Sequence, residues 1–142
     1  QSEEKERYYQ QLGDFFALVD TESHKMVGVF AANLSDWSTY YVRSCNILPE
    51  SQGKRLYQQF LVRLIEVLKP AGVQRLEIDV SPANFTHIHV LNKMQFNVTA
   101  FQTSERWGAM LRFTRFLSHN HEAVFLEKFC HGVKPQIQKG ET

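Results

Sequence analysis

The pattern of apolar and polar positions along the chain is most regular between residues 51 and 69. Apolar side chains recur there at intervals of three and four residues, which predicts an amphipathic helix. Lys69 in the last turn, followed by Pro70 and Gly72, marks where this helix ends. The apolar residues that recur at this spacing are Leu56, Phe60, Leu64, Val67 and Leu68.

Strict alternation of apolar and charged residues predicts a strand over residues 73–80, with Leu76, Ile78 and Val80 on one side. The same arguments on periodicity and turn residues predict the other elements. These are a helix over 1–12, strands over 14–20, 26–32 and 39–47, a helix over 85–94, a hairpin over 96–103 and 109–117, and a short helix over about 121–130.

The order of these elements indicates the fold class. Helices interleaved with strands predict an α/β or α+β fold with a mixed sheet. The strand, helix and strand between residues 39 and 80 should form a right-handed crossover with parallel strands. We expect one domain over residues 1–142, with a core at about 10–117 and a C-terminal helical extension over about 118–142.

Composition narrows the class of protein. With 43% apolar and 22% charged residues, the chain has the composition of a soluble globular protein. No apolar stretch is long enough to span a membrane, and no signal peptide is visible. Cys45 and Cys130 lack a CxxC motif, which is typical of reduced thiols in the cytoplasm, with one disulfide as the alternative. Because the sequence begins at Gln1, we leave open whether a further element precedes it.

Two kinds of site are disfavoured. The net charge of +1 argues against nucleic acid as a partner, although aromatic and arginine side chains interleave on the last hairpin. His87 and His89 lie two apart on a predicted helix and therefore point to different faces. His119 and His121 lack a third well-spaced ligand, so we expect no metal site.

One loop is a candidate for chemistry. After the strand that ends at Ile47-Leu48-Pro49, the polar segment Glu50-Ser51-Gln52-Gly53-Lys54 leads into the long helix. Unpaired N–H groups and the helix dipole at such a start favour an anion, and Lys54 and Arg55 add positive charge. The segment therefore predicts a phosphate-binding loop. An ordinary turn with solvated basic residues is the alternative.

In order and spacing, this part of the chain resembles the GNAT superfamily of acyl-CoA N-acyltransferases. The family signature is a strand, a proline–acid pair, and Arg/Gln-x-x-Gly-x-Gly/Ala at the start of a long helix. Pro49-Glu50-Ser51-Gln52-Gly53-Lys54-Arg55-Leu56 stands in that place. The family's next strand, asparagine and short helix match Leu76–Val80, Asn84 and the segment ending at Met94-Gln95-Phe96. The resemblance covers about residues 10–117.

The resemblance implies a mixed, mainly antiparallel sheet with a splayed pair of parallel central strands and helices on both faces. It implies acetyl-CoA or another acyl-CoA as co-substrate and a small-molecule or peptide amine as acceptor; a homodimer is also left open. Backbone groups of the loop would cradle the pyrophosphate, and the preceding strand would hold the pantetheine arm. The implied cofactor-binding residues are Cys45, Asn46, Ile47, Gln52, Gly53, Lys54, Arg55, Leu56, Tyr57 and Asn84.

Several positions depart from the family pattern. Arg55 and Tyr57 stand where the family has small residues, which let the backbone approach the pyrophosphate. Leu91 stands seven positions after Asn84, where many GNAT enzymes carry a tyrosine that protonates the leaving thiolate. Gln95 replaces a glycine. By this pattern the catalytic apparatus is incomplete.

Asp79 is the candidate catalytic base. It lies where the ribosomal-protein acetyltransferases of the family carry a glutamate with that role. The alternative is a strand carboxylate that faces solvent or pairs with Arg75. Further donors lie on the strand before the loop: Tyr40, Tyr41, Cys45 and Asn46. Cys45 would act as an acid or nucleophile only if its thiol were activated.

Two functional hypotheses follow. In the first, the protein is an N-acyltransferase that moves an acetyl or other acyl group from CoA, or from an acyl carrier, to an amine. Water or another side chain then protonates the thiolate. In the second, the chain keeps the fold without catalysis, Arg55 and Tyr57 fill the phosphate loop, and the domain serves in binding or assembly.

Overall fold

The computed structural model describes residues 2–129, which form four helices and six strands. In chain order they are α1 Ser2–Leu12, β1 Asp14–Val19, β2 Met26–Leu34, β3 Thr39–Ile47, α2 Leu56–Leu68, β4 Arg75–Val80, α3 Phe85–Lys93, β5 Asn97–Ser104, β6 Gly108–Phe116 and α4 His119–Phe129. A 3-10 turn over Pro49–Ser51 lies between β3 and α2. The bounds agree closely with those expected from periodicity, except at the start of α2.

The strands form one six-stranded sheet in the order β1-β2-β3-β4-β6-β5. Within this sheet β3 and β4 run parallel, and all other neighbouring pairs are antiparallel. Helix α2 connects the two parallel strands, as the strand–helix–strand order requires. The predicted mixed and mainly antiparallel sheet with a parallel central pair is therefore confirmed.

The apolar core lies on the face of the sheet that α2 and α3 cover. Leucines of α2 and α3 pack there against the apolar side of β4. Each fully buried aliphatic side chain of this kind contributes about 1.5–3 kcal/mol to stability. The cluster therefore fixes both helices on the sheet. Its members from these three elements are Leu61, Leu64, Leu68, Leu76, Ile78, Val80 and Leu91.

The opposite face of the sheet is polar at its centre and carries a helix at each end. At the α1 end, the guanidinium carbon of Arg43 lies 3.9 Å from the ring centroid of Tyr9. At the α4 end, the rings of Phe116 and Phe125 lie 5.3 Å apart between centroids. Helices thus lie on both faces, and the polar side of β3 and β4 lies between α1 and α4.

The expected start of α2 at residue 51 is wrong. Gly53 has a φ of 78° and Arg55 has a φ of 57°. Both values are left-handed and cannot belong to a right-handed helix. Helix α2 therefore begins at Leu56, and Pro49–Ser51 forms the separate 3-10 turn.

The end of the expected C-terminal extension lies outside the described residues, and so do Cys130 and the alternative of its disulfide to Cys45. Within residues 2–129, no helix combines the length and the apolar character needed to span a membrane.

Candidate active site

The parallel strands β3 and β4 separate part-way along their length. Their pairing stops after Val42 and Ile78, and the rest of β3 pairs with β2 alone. A register shift between β2 and β3 leaves Arg43 as an extra residue in β3, and a bulge of this kind bends a strand. The β4-facing backbone groups of residues 45–47 therefore have no strand partner. This is the splay that the family resemblance implied.

The loop from β3 to α2 follows directly after the unpaired segment of β3. Gly53 and Arg55 both have left-handed backbone conformations, and the Arg55 side chain makes no capping hydrogen bond. Within residues 2–129, none of the backbone N–H groups of residues 53–58 donates to a protein acceptor. Free N–H groups at the start of a thirteen-residue helix suit an anion such as phosphate.

Gln52 braces this loop. Its side-chain amide donates a hydrogen bond of 3.0 Å to the backbone carbonyl oxygen of Ile47, the last residue of β3. The amide therefore fixes the path of the chain from the strand into the loop. Lys54 and Arg55 are exposed beside the free N–H groups and add positive charge to them.

Tyr57, in the first turn of α2, turns inward toward α3. Its hydroxyl lies 2.7 Å from Nε2 of His87, and its ring stacks on Phe30 of β2 with 6.1 Å between centroids. Burial raises the pKa of the Tyr57 phenol and lowers the pKa of the His87 imidazole. Both side chains are therefore neutral near pH 7. Their contact bridges the two helices on the core side of the opening.

Cys45 of β3 lies near Tyr57 and is half-buried. Burial raises the pKa of its thiol to about 11, so the thiol stays protonated at neutral pH. No neighbouring cation among residues 2–129 activates it as a nucleophile. Residues 45–47 therefore bring to this region an uncharged thiol and backbone groups that have no partner in β4.

Asp79 of β4 lies on the polar face, in an ion pair with Arg112 of β6. Nε of Arg112 donates to Oδ1 of Asp79 at 2.9 Å, and Nη2 donates to Oδ2 at 3.1 Å. The Tyr41 hydroxyl donates to the same Oδ2 at 3.1 Å. Arg112 also lies 3.4 Å from the Glu77 carboxylate, whose pKa is raised chiefly by burial. The ionic partner of Asp79 is thus Arg112, not Arg75.

A family model described as "Acetyltransferase (GNAT) family" matches residues 1–96. The chain belongs to the GNAT acetyltransferase family. No curated protein matches the sequence.

Solved structures of GNAT proteins share the fold at low sequence identity. An IAA acetyltransferase from Bacillus cereus superposes with a TM-score of 0.70 at 16% identity, over 80% of this chain and 84% of that one. A GNAT family acetyltransferase from Elizabethkingia anophelis with acetyl-CoA bound gives 0.71 at 15% identity, over 80% and 82%. The ribosomal-protein-S18-alanine N-acetyltransferase from Escherichia coli gives 0.69 at 18% identity, over 83% and 78%.

Three positions of the GNAT pattern have clear structural roles in this chain. Leu91 is fully buried in the core and offers no proton donor. Asn84 caps α3, because its Oδ1 accepts a hydrogen bond of 3.1 Å from the backbone N–H of His87. Gln95 has a φ of 62°, the left-handed conformation that a glycine would adopt without strain. Asn84 thus keeps the family's side chain as a helix cap, whereas Leu91 and Gln95 depart from the pattern at a core position and at a turn.

Sequence reasoning missed three residues of this region: Glu77, His87 and Arg112. Alternation along β4 and β6 puts charged side chains on one face, but only the register between the strands pairs Asp79 with Arg112. The sequence presents His87 only as a candidate metal ligand, and its contact with Tyr57 depends on how α2 and α3 pack. Among the described residues, no three His, Cys, Asp or Glu side chains converge as a metal site.

Proposed function

We propose that this GNAT protein is an acyl-CoA-dependent N-acyltransferase that acts on an amine. The observation that carries the proposal is the run of free N–H groups at residues 53–58, next to the unpaired edge of β3. An anion-binding helix start and an extended backbone edge are the two features that a pyrophosphate and an amide-bearing arm require. Asp79 supplies a carboxylate where β4 leaves β3.

An acyl-CoA would supply the acyl group as a thioester. We infer that its pyrophosphate binds the N–H groups of residues 53–57, including those of Leu56 and Tyr57, with Lys54 and Arg55 as cationic partners. The backbone of residues 45–47 would bind the amides of the pantetheine arm as a neighbouring strand does, and Asn84 would border the arm from α3. The acetyl-CoA in the Elizabethkingia relative supports this class of co-substrate. Delivery by an acyl carrier protein is a variant of the same proposal.

The acceptor amine must lose a proton as its nitrogen bonds to the thioester carbonyl carbon. Asp79 would take this proton directly or through a water molecule. Its Oδ1 accepts one hydrogen bond from the protein and so keeps an acceptor site. The carbon–sulfur bond then breaks and the acyl group stays on the nitrogen. Because Leu91 cannot donate a proton, the leaving thiolate takes one from water.

One observation favours a second candidate function, a domain that binds or assembles without catalysis. The contact between Tyr57 and His87 crosses between α2 and α3 on the core side of the opening. A pantetheine arm that enters between these helices must displace the Tyr57 side chain. If Tyr57 and His87 keep this contact, the domain would have the GNAT fold but would not bind the co-substrate.

Calorimetric titration with acetyl-CoA tests the proposal. The wild-type chain should bind one molecule, and Lys54→Ala should weaken binding by roughly 1–3 kcal/mol, the value of a charge-assisted hydrogen bond. Lys69→Ala is the matched control, because Lys69 caps the other end of the same helix. Neither heat nor a thermal shift at millimolar acetyl-CoA would overturn the acyltransferase in favour of the binding domain.

The role of Asp79 needs a second measurement. Thiol release from acetyl-CoA is followed with a panel of primary amines, for the wild type and for Asp79→Asn. The variant should bind acetyl-CoA as the wild type does but release thiol roughly a hundredfold or more slowly, the usual size of a general-base effect. An unchanged rate would remove Asp79 from the mechanism.

A further inference from the structure

Two charged side chains flank the opening between β3 and β4 on the polar face of the sheet. Arg43 in β3 and Asp79 in β4 are each the first residue beyond the last paired positions, Val42 and Ile78. Both side chains lie on the face opposite α2, because Arg43 contacts Tyr9 of α1 and Asp79 bonds with Tyr41 and Arg112. They therefore stand on opposite sides of the same opening.

Arg43 is a positioned cation without an anionic partner among residues 2–129. Its Nη1 donates a hydrogen bond of 3.3 Å to Oδ1 of Asn33. Its guanidinium carbon lies 3.9 Å from the ring centroid of Tyr9 and 5.9 Å from that of Phe15. No carboxylate in the described part of the chain lies within salt-bridge distance of it. Since a guanidinium has five N–H donors, most of them are left for a ligand.

The β4 side of the opening has the opposite charge. Asp79 and Glu77 share the one guanidinium of Arg112, so this cluster keeps one negative charge. Arg75 and Asp36 act on Glu77 from a longer distance with opposite signs, so their charges offset each other. A ligand at the opening thus meets a cation on one side and a negative cluster on the other.

We infer that the acceptor of the proposed acyl transfer is an amino acid, whose carboxylate binds Arg43 and whose amine lies at Asp79. This inference rests on the proposed function and names its substrate class. A guanidinium held flat by an aromatic ring is suited to bidentate binding of a carboxylate. Neighbouring strands lie about 4.8 Å apart and these two diverge, so the gap suits an amine and a carboxylate on one small molecule.

A groove of about 460 Å³ opens beside Arg43, between α1 and β1. Tyr9 and Phe15 form part of its wall, and Lys5, Glu6 and Gln10 of α1 complete its lining. Its volume lies within the range of small-molecule sites. It would receive the side chain of an amino acid whose carboxylate is held by Arg43.

The test compares each standard L-amino acid with its own C-terminal amide as acceptor from acetyl-CoA. The amide keeps the amine and the side chain and lacks the carboxylate. The wild type should favour the best amino acid over its amide by roughly ten- to a hundredfold in kcat/KM, the effect of a charge-assisted contact. Arg43→Gln should bring this ratio close to one, and Arg43→Lys should keep part of it.

Two controls separate recognition from stability. Arg63→Gln, which removes an exposed arginine on α2, should leave the ratio unchanged. A purely structural role of Arg43 would lower the melting temperature of Arg43→Gln and leave the ratio as it is. If amides react as fast as amino acids in the wild type, the inference is wrong while the proposed function stands.

If the protein acetylates no amine, the proposed function is wrong, and the inference on Arg43 is then tested by binding alone. The same amino acids and amides are then titrated into the protein and followed by NMR, for the wild type and for Arg43→Gln. Binding of an amino acid but not its amide, lost in Arg43→Gln, supports carboxylate recognition at Arg43. Absence of such binding in the wild type overturns it.

Discussion

The hydroxyl of Tyr57 and Nε2 of His87 lie 2.7 Å apart, and one hydrogen bond thus joins the first turn of α2 to the first turn of α3. The two rings meet edge to face with 4.9 Å between centroids. The contact therefore limits how far the N-terminal ends of the two helices separate.

The stability of this contact should depend on pH through His87. Burial holds the His87 pKa in the folded protein below its ordinary value of 6.5. Below that pH the unfolded chain binds more protons than the folded one, so the free energy of unfolding falls as the pH falls. His87→Gln should flatten this decline, as measured by urea unfolding at several pH values below 6.5. His89→Gln, an exposed neighbour on the same helix, should leave the slope unchanged.

Replacing Gln95 with glycine should stabilise the protein. Gln95 holds a left-handed φ of 62°, which costs a residue with a side chain about 1–2 kcal/mol. Glycine removes that strain, but it loses more conformational entropy on folding than glutamine does. The second effect offsets part of the first and leaves a gain in stability of roughly 0.5–1 kcal/mol. The midpoint of denaturant unfolding measures the gain. Gln95→Ala keeps a Cβ and should bring no such gain, and an equal gain in both variants would contradict strain as the cause.

Most of the fold was predictable because its elements bury one regular face. The alternation around Leu76 and Ile78 identifies β4, and the three-to-four spacing identifies α2. The start of α2 was not predictable from periodicity, since it depends on the left-handed φ values of Gly53 and Arg55. Those are properties of two residues and leave the apolar pattern of the helix unchanged.

The candidate site was predictable where it is continuous in sequence, as in the loop over residues 52–57. Contacts between distant residues were not predictable. The pairing of Asp79 with Arg112 follows from the register of β4 against β6. The contact of Tyr57 with His87 follows from the rotation of two helices about their axes. No local sequence pattern determines the strand register or the rotation of the helices.

Arg112 should be needed to keep two carboxylates on the polar face. Arg112→Gln leaves Asp79 and Glu77 close together without their shared cation, at an expected cost of roughly 1–3 kcal/mol. The pKa of Glu77 is already raised by burial, so the folded protein binds more protons than the unfolded chain just above pH 4.5. Loss of the Arg112 cation should raise the pKa of Glu77 further and so extend the pH range in which the folded protein binds the extra proton. The variant should therefore lose more stability at neutral pH than near pH 5.

Chemical unfolding of wild type and variant at both pH values measures this effect. The double variant Glu77→Gln, Arg112→Gln is the control, because it removes one carboxylate together with the cation and should recover part of the loss at neutral pH. A loss of stability that is independent of pH would assign Arg112 a packing role.

Arg55→Gly should change stability and co-substrate binding in opposite directions. The Arg55 backbone is left-handed with a φ of 57°, so glycine should add roughly 0.5–1 kcal/mol of stability. The guanidinium is exposed beside the free N–H groups, and its loss should weaken acetyl-CoA binding about five- to tenfold. Unfolding curves and calorimetry on the same samples measure both effects, with Gln95→Gly as a control that gains stability at unchanged affinity. Tighter binding in Arg55→Gly would show that the Arg55 side chain blocks the loop. Binding only after Tyr57→Gly is added would show that Tyr57 blocks the space between α2 and α3. Either result would support the binding domain over the enzyme.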